Sequence, residues 1–416
     1  MGRLLILGLI LLLTLPLVAG NSAGLPIFFA DSYMLRARGV EANYWNPALL
    51  NRMGELWLPA LNTGISFNNN ALDLKYYNHI MDNKEITESD KEELLNRMGG
   101  RLRFNAKVES SIVGFCMGDA ALSSSLHLFG KAKLSQRYLD LLLYGNEEEH
   151  YEFSKKDTNV ESLGYIDLTV GMGDIRLPLP ESIPDIRFGW SGSLLFGVEE
   201  LDTAHYSGIF TSNYDGLSLK QDVTLRASAG GLGFKGMIGL ASEPIQNLHA
   251  GITLDNILGG IRWGLMRESL HYSISAENVY ILDLDDDDND LFEVDEWEEQ
   301  ADPFTTKLPM EMRMGLLYRL KLVDFSIDYV QGFGDSVVTS KVGRVSFGSE
   351  FSPLYTLPIY FGFSPGNSDG PYQVAFGLGL RTRVIALGLG VQSFGSLFPS
   401  SKSKGIATAL SLRIKY

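Results

Sequence analysis

The densest chemistry-bearing residues are acidic. Asp283, Asp285, Asp286, Asp287, Asp288 and Asp290 are followed by Glu293, Asp295, Glu296, Glu298, Glu299 and Asp302. Clustered carboxylates are hard oxygen ligands, so Asp283, Asp285 and Asp287 are weak candidates for Ca²⁺. The EF-hand loop needs glycine at its sixth position, and counting from Asp283 that position holds Asp288. Like charges repel, so the run reads first as a solvated surface loop over 282–307, and no dedicated metal or cofactor site is expected. The 6 histidines are scattered without the close pairing of a zinc helix. His127 follows Ser123 and Ser125 at every second position and reads as a structural histidine. Gly189-Trp190-Ser191-Gly192-Ser193 comes nearest to a nucleophile elbow, but Ser193 stands where the closing glycine belongs. Gly230-Gly231-Leu232-Gly233 precedes Lys235, yet Gly236 replaces the hydroxyl residue of a phosphate loop. Such glycines read as strand glycines where another segment approaches the wall. No catalytic residue emerges, and an enzyme is not expected.

Bulk properties narrow the class. The chain has 416 residues, 44 of them glycine, and a formal charge of −15, which lacks the basic footprint of a nucleic-acid binder. Cys116 is the 1 cysteine, so an internal disulfide and a multi-cysteine zinc site are both excluded. Mean hydropathy is +0.02, too low for a bundle of membrane helices but compatible with strands that are apolar on one side only. Residues 1–20 combine Arg3, an apolar run from Leu4 to Val18 and the small residues Ala19 and Gly20, which reads as a secretory signal peptide. Beyond it no apolar stretch reaches the ~18 residues of a spanning helix.

The elements that must position any site are strands. In the last stretch, Ile406, Leu410, Leu412, Ile414 and Tyr416 lie on one face, and Ala407, Ala409, Ser411, Arg413 and Lys415 on the other. A strand of this kind ending on an aromatic reads as the closing strand of an outer-membrane barrel. The same period recurs from Leu102 to Ile112, Tyr165 to Met172, Met310 to Tyr318 and Tyr372 to Arg381. Alternation alone leaves open which face is buried. Connection lengths favour a barrel: short at 114–119, 319–321 and 382, long at 69–100, 135–160, 282–307 and 394–403. Two long insertions carry helix signals, a capping-box pattern Thr87-Glu88-Ser89-Asp90 and a leucine-rich run from Ser135 to Tyr144. Trp45, Trp57, Trp190, Trp263 and Trp297 with the 18 tyrosines are expected in part to form interfacial girdles and in part simply to pack, and Trp297 in the acidic stretch fits neither role.

Residues 39–50, with Asn46-Pro47-Ala48 shortly after the leader, resemble the start of outer-membrane barrels of the long-chain fatty-acid transporter (FadL) type. The segment Leu139 to Asn146 and the capped helix before Arg101 resemble a family of bacterial outer-membrane barrels within that FadL-type and PorV-like group. The resemblance implies an all-β antiparallel transmembrane barrel of about 14 strands, within a range of about 14 to 18 left by the strand pattern. It implies a hatch segment over 21–55 containing Asn46, Pro47 and Ala48, the barrel proper over 56–416, and short helices in extracellular loops. The expected location is the bacterial outer membrane, with its lipid as surroundings. The expected function is uptake or binding of a hydrophobic small molecule. The alternative is a structural or secretion-associated barrel that binds protein partners through 69–100 and the acidic loop. A continuous apolar lumen would favour uptake; a lumen plugged by paired charges such as Arg103, Asp222, Arg226 and Asp328 would favour the scaffold.

Overall fold

Residues that change character at every second position give a sheet two unlike faces, and in this computed structural model the sheet closes on itself. The structure describes residues 24–50, 54–82, 86–145, 150–180, 182, 184–214, 216–279 and 292–415. The leader 1–20, Asp283, Asp285, Asp287 and Tyr416 lie outside the described residues. The strands are β1 (Glu55–Trp57), β2 (Asn62–Asn69), β3 (Arg101–Met117), β4 (Ala120–Ser135), β5 (His150–Ser154), β6 (Asn159–Arg176) and β7 (Ile186–Asn213). Next come β8 (Gly216–Ser228), β9 (Gly231–Ile245), β10 (Leu248–Trp263), β11 (Arg267–Val279), β12 (Glu293–Gln300) and β13 (Phe304–Lys307). The remainder are β14 (Glu311–Arg319), β15 (Val323–Gly332), β16 (Arg344–Phe351), β17 (Ile359–Ser364), β18 (Gln373–Arg381), β19 (Ile385–Phe394) and β20 (Gly405–Lys415).

Antiparallel pairing runs β2–β3–β4–β6–β7–β9–β10–β14 and on through each strand to β20. β20 pairs back with β2, from Asn62↔Ser411 to Asn68↔Gly405, closing a barrel of 14 strands. β1 continues the β2 position, pairing with β20 and β3. Closure leaves no free edge in the ring, the condition for a sheet to cross hydrocarbon.

The outer face carries Phe115, Leu122, Val170, Leu194, Phe234, Leu316, Phe325, Leu378 and Leu389, all exposed. On the inner face Ser123, Asp167, Ser193, Asp328, Ser346 and Ser411 are buried. Apolar outside and polar inside is the arrangement of a barrel in lipid, which resolves the ambiguity that the alternation leaves. Connections are short at Gly118-Asp119, Gln246-Asn247, 320–322 and 382–384, all at one end, and the long ones lie at the other. By the usual orientation of outer-membrane barrels the short-turn end faces the periplasm.

Three helices stand on the long-loop rim: Leu74–Asp82, Glu88–Met98 and Gln136–Tyr144. The last two follow the sequence signals; the first starts on Asp73, whose Oδ1 accepts from the Tyr76 N–H at 2.8 Å, a cap not singled out in the sequence. Met98, Leu94 and Leu95 of the second helix and Leu139 of the third pack with Leu102, Phe104 and Leu134, so these two helices are seated on the wall, whereas Leu74, Tyr77 and Met81 of the first are exposed.

One feature departs from a plain barrel. β7 is 28 residues long, against the roughly 9–11 that cross a bilayer, so its second half projects beyond the membrane. There it pairs with β5 and β8, β8 pairs with β11, and β11 with β12, forming a side sheet. The stretch 282–307, expected as a loop, therefore contains strands at Glu293–Gln300 and Phe304–Lys307. Trp297 finds its place there, stacked on His271 with ring centroids 4.8 Å apart and planes 2° apart. Among the other tryptophans only Trp190 is exposed on the outer wall; Trp45, Trp57 and Trp263 are buried, so they pack rather than join a girdle.

Candidate functional site

The lumen is occupied by the chain's own residues 24–50, nearly all of them buried. They form short turns of helix at Gly24–Phe28, Gly39–Glu41, Ala42–Trp45 and Pro47–Leu49. Asn46 starts the last of these: its side-chain oxygen accepts from the Ala48 N–H at 3.1 Å, and Pro47 supplies a preset φ. The Asn46 amide nitrogen donates to the Leu240 carbonyl of β9 at 3.2 Å. Pro47 and Ala48 lie over Gly189 of β7, where any Cβ would collide with their backbone. The expected hatch residues thus sit against the β6–β7–β9 wall.

The opposite wall holds the segment's beginning. Phe28 faces Gly377, Gly388 and Gly390, and a Cβ on Gly388 would stand 2.6 Å from its ring. Ser32 and Ser326 share a hydrogen bond of 2.8 Å, the Met34 N–H donates to Asp328 Oδ2 at 2.8 Å, and Arg36 pairs with Asp324 at 2.5 Å. Near the short-turn end Arg413 of β20 reaches Glu41 Oε2 at 3.3 Å, and the Tyr33 hydroxyl donates to the same oxygen at 2.5 Å. Residues 24–50 therefore tie β15–β20 to β4–β10 across the barrel.

Above this segment runs a polar belt. His127 lies between Glu109 Oε1 at 3.2 Å from Nδ1 and Asp167 Oδ2 at 3.3 Å from Nε2, and the Tyr44 hydroxyl donates to Asp167 Oδ1 at 3.1 Å. Lys107 pairs with Glu109 at 2.7 Å, Arg313 with Glu311 at 2.7 Å, and Arg344 with Asp31 at 2.9 Å. The structural role expected for His127 matches this setting.

Toward the long-loop end the lining turns apolar. Phe129, Leu163, Tyr165, Leu195, Ile261 and Trp263 form one buried cluster with Leu308, and Val337 and Val338 of the 333–343 connection pack against it. The Trp263 Nε1–H is satisfied by Thr306 Oγ1 at 2.9 Å, so the indole presents hydrocarbon without an orphaned donor. Sequence reasoning did not assemble this cluster. Its members occupy inward positions on four strands, and only the register brings them together.

The four charges singled out beforehand separate. Asp328 lies in the lumen against Met34, whereas Arg226 pairs with Asp202 at 3.2 Å and Asp222 accepts from Ser273 at 2.9 Å in the side sheet. Arg103 borders a shallow cavity with Arg101 and Gln136 at the long-loop rim. In the closing strand, Ile406 is exposed outward and Leu410, Leu412 and Ile414 are half-buried, while Ala407, Ala409, Ser411 and Arg413 point inward. Among the described residues no group of carboxylates, histidines and cysteine is arranged to hold a metal.

These features define a class: an outer-membrane-type barrel of 14 strands whose lumen holds its own N-terminal segment. Solved structures of similar fold include the Ralstonia pickettii toluene transporter TbuX, at 11% identity over 96% of this chain and 99% of that one, TM-score 0.49. They also include a Pseudomonas aeruginosa FadL homologue, at 9% identity over 96% and 98%, TM-score 0.47. A third is the P. putida toluene transporter TodX, at 11% identity over 91% and 92%, TM-score 0.43. No family model and no curated protein matches the chain.

Proposed function

We propose that this protein binds a hydrophobic small molecule at the outer half of the lumen and admits it across the outer membrane, with residues 24–50 acting as a hatch. The buried aromatic and aliphatic cluster around Trp263 carries the reading, because it is the apolar part of the lumen lining on the side from which such a molecule arrives; its side chains are packed together, so a chamber opens there by displacement of Val337 and Val338. The hatch is held by side-chain packing, hydrogen bonds and ion pairs rather than by the ring's own ladder, so its movement need not break the strand pairing of the barrel. The two helices seated by leucines on the long-loop rim would restrict entry.

The first test is native mass spectrometry of the protein purified from outer membranes, with any bound small molecule extracted and identified. A defined apolar ligand that is lost or bound several-fold more weakly in Trp263→Ala supports the reading. An empty chamber, or binding indifferent to Trp263→Ala, sinks it. A structural or secretion-associated role has two observations in its favour: the paired charges that fill the middle of the lumen, such as Lys107–Glu109 and Arg313–Glu311, and β12, whose eight residues are all exposed and which pairs on one side only, with β11, among the described residues. That reading requires a stoichiometric protein partner in the same spectrum, displaced by substitutions in β12.

A further inference from the structure

At the short-turn end the structure contains a cavity of about 340 Å³, within the ~300–1,000 Å³ usual for small-molecule sites. Its cationic lining is Arg36, Arg38, Arg319, Arg381, Arg413 and Lys415. Only Asp324 and Glu350 oppose them from the same lining. Those two carboxylates are already engaged, by Arg36 at 2.5 Å and Arg381 at 3.0 Å. Arg413 is engaged by Glu41 through Nη1 at 3.3 Å, yet it is only 8% exposed and its Nε is buried without a partner. Arg38 donates only to the backbone carbonyls of Leu35 and Ala37. Among the described residues no carboxylate lies within 4.0 Å of Arg38, Arg319 or Lys415. Burial and then the neighbouring Arg319 guanidinium push Arg38 down to about 10. Uncompensated positive charge is thus concentrated in one cavity of a chain whose net charge is −15.

We propose that this cavity binds a phosphate-type oxyanion, carried either by an inner-leaflet phospholipid headgroup or by a free phosphate. Guanidinium groups match the paired oxygens of such a group with charge-assisted hydrogen bonds. Leu25, Phe29, Tyr355 and Tyr360 supply apolar walls beside the cations. Leu320, Leu354 and Leu357 stand exposed on the adjoining turns, where an acyl chain attached to the phosphate can lie. The site is distinct from the apolar chamber in position and chemistry, and it stands whether or not that chamber admits a ligand.

The test uses the whole mature protein and the double variant Arg319→Gln/Lys415→Gln. Neither side chain has a carboxylate within 4.0 Å among the described residues, and Arg413, the direct partner of buried Glu41, is left in place. Inorganic phosphate is titrated calorimetrically into detergent-solubilised protein. In parallel, protein released from nanodiscs of phosphatidylcholine with or without phosphatidylglycerol is weighed by native mass spectrometry. Phosphate binding that weakens roughly tenfold per lost cation, on the scale of one charge-assisted bond, supports a free oxyanion. Retention of phosphatidylglycerol by the wild type and its loss from the variant supports a headgroup. The conservative pair Arg319→Lys/Lys415→Arg should retain binding, which separates a site effect from misfolding. Wild-type protein that binds neither probe, or a variant that binds both as the wild type does, overturns the proposal.

Discussion

Phe28 and the glycines beneath it show how much of the lumen rests on single positions. The ring is fully buried and fits only because Gly377, Gly388 and Gly390 carry no side chain. Replacing Phe28 by Ala should cost roughly 3–5 kcal/mol, as large-to-small changes in packed cores do. Gly388→Val should cost about 1–3 kcal/mol by overpacking. Both would be read as lower thermal unfolding midpoints, with limited proteolysis near residue 28 reporting whether the segment has left the wall. Glu41→Gln removes the carboxylate opposite buried Arg413, and stranding a buried charge costs about 3–5 kcal/mol. An unchanged midpoint in that variant would show that Arg413 is satisfied by other means. At this scale the sequence was partly legible. The glycine run at 230–233 meets Ile261, Trp263 and Leu265 of the adjoining β10 and its turn rather than a lumen segment, and Phe28, the partner of Gly377, Gly388 and Gly390, lies hundreds of residues from them, so no local pattern names it. Which tryptophans pack and which face outward was not legible one by one, because indole is equally at home in a packed interior and at an interface.

Elements with local signals behave as their residues dictate. The helix Glu88–Met98 starts on a full capping box, with Thr87 Oγ1 accepting from the Asp90 N–H and Asp90 Oδ2 accepting from the Thr87 N–H at 3.0 Å. The Thr87 hydroxyl, donating to Asp90, is the main reason the Asp90 carboxyl lies below its ordinary range. A depressed carboxyl stabilises the folded form above its unfolded pKa, and that contribution is lost as pH falls through the folded value. Protection of the amides in 88–98, taken relative to their intrinsic exchange rate at each pH, should therefore stay flat down to the ordinary aspartate range and fall below it. Thr87→Ala should lower it at neutral pH too, by the ~1 kcal/mol of a lost cap. Exchange that is unaltered by Thr87→Ala would contradict the cap's role. The side sheet was illegible for a different reason. β8 and β11 alternate like wall strands, and only the 28-residue run of β7 lets a second sheet branch from the first. Within 293–300, repulsion between carboxylates argued for a loop, but eight ladder pairs with β11 and the Trp297–His271 stack outweigh it.

For the whole molecule, ring closure and orientation followed from alternation and connection length, because both are set by the bilayer rather than by any one contact. The contents of the lumen were less legible, since inward positions look alike in sequence whether they face water or a packed segment. Deleting residues 24–50 should convert a closed barrel into an ion-conducting one in planar bilayers, because a ring of this size has more room than its wall side chains fill. Conductance equal to that of the intact protein would show that the belt and the outer cluster seal the lumen unaided. The route from the lumen segment to the wall also constrains biogenesis. Residue 50 is followed almost at once by β1, and β1 and β2 are the strands on which β20 closes the ring. β2 therefore completes its pairing only when β20, the last strand of the ring, is in place, beside a lumen segment made bulky by Phe28, Tyr44 and Trp45. Ring closure and lumen filling thus meet at one place, the β20–β2 seam, where the first and last strands of the ring pair.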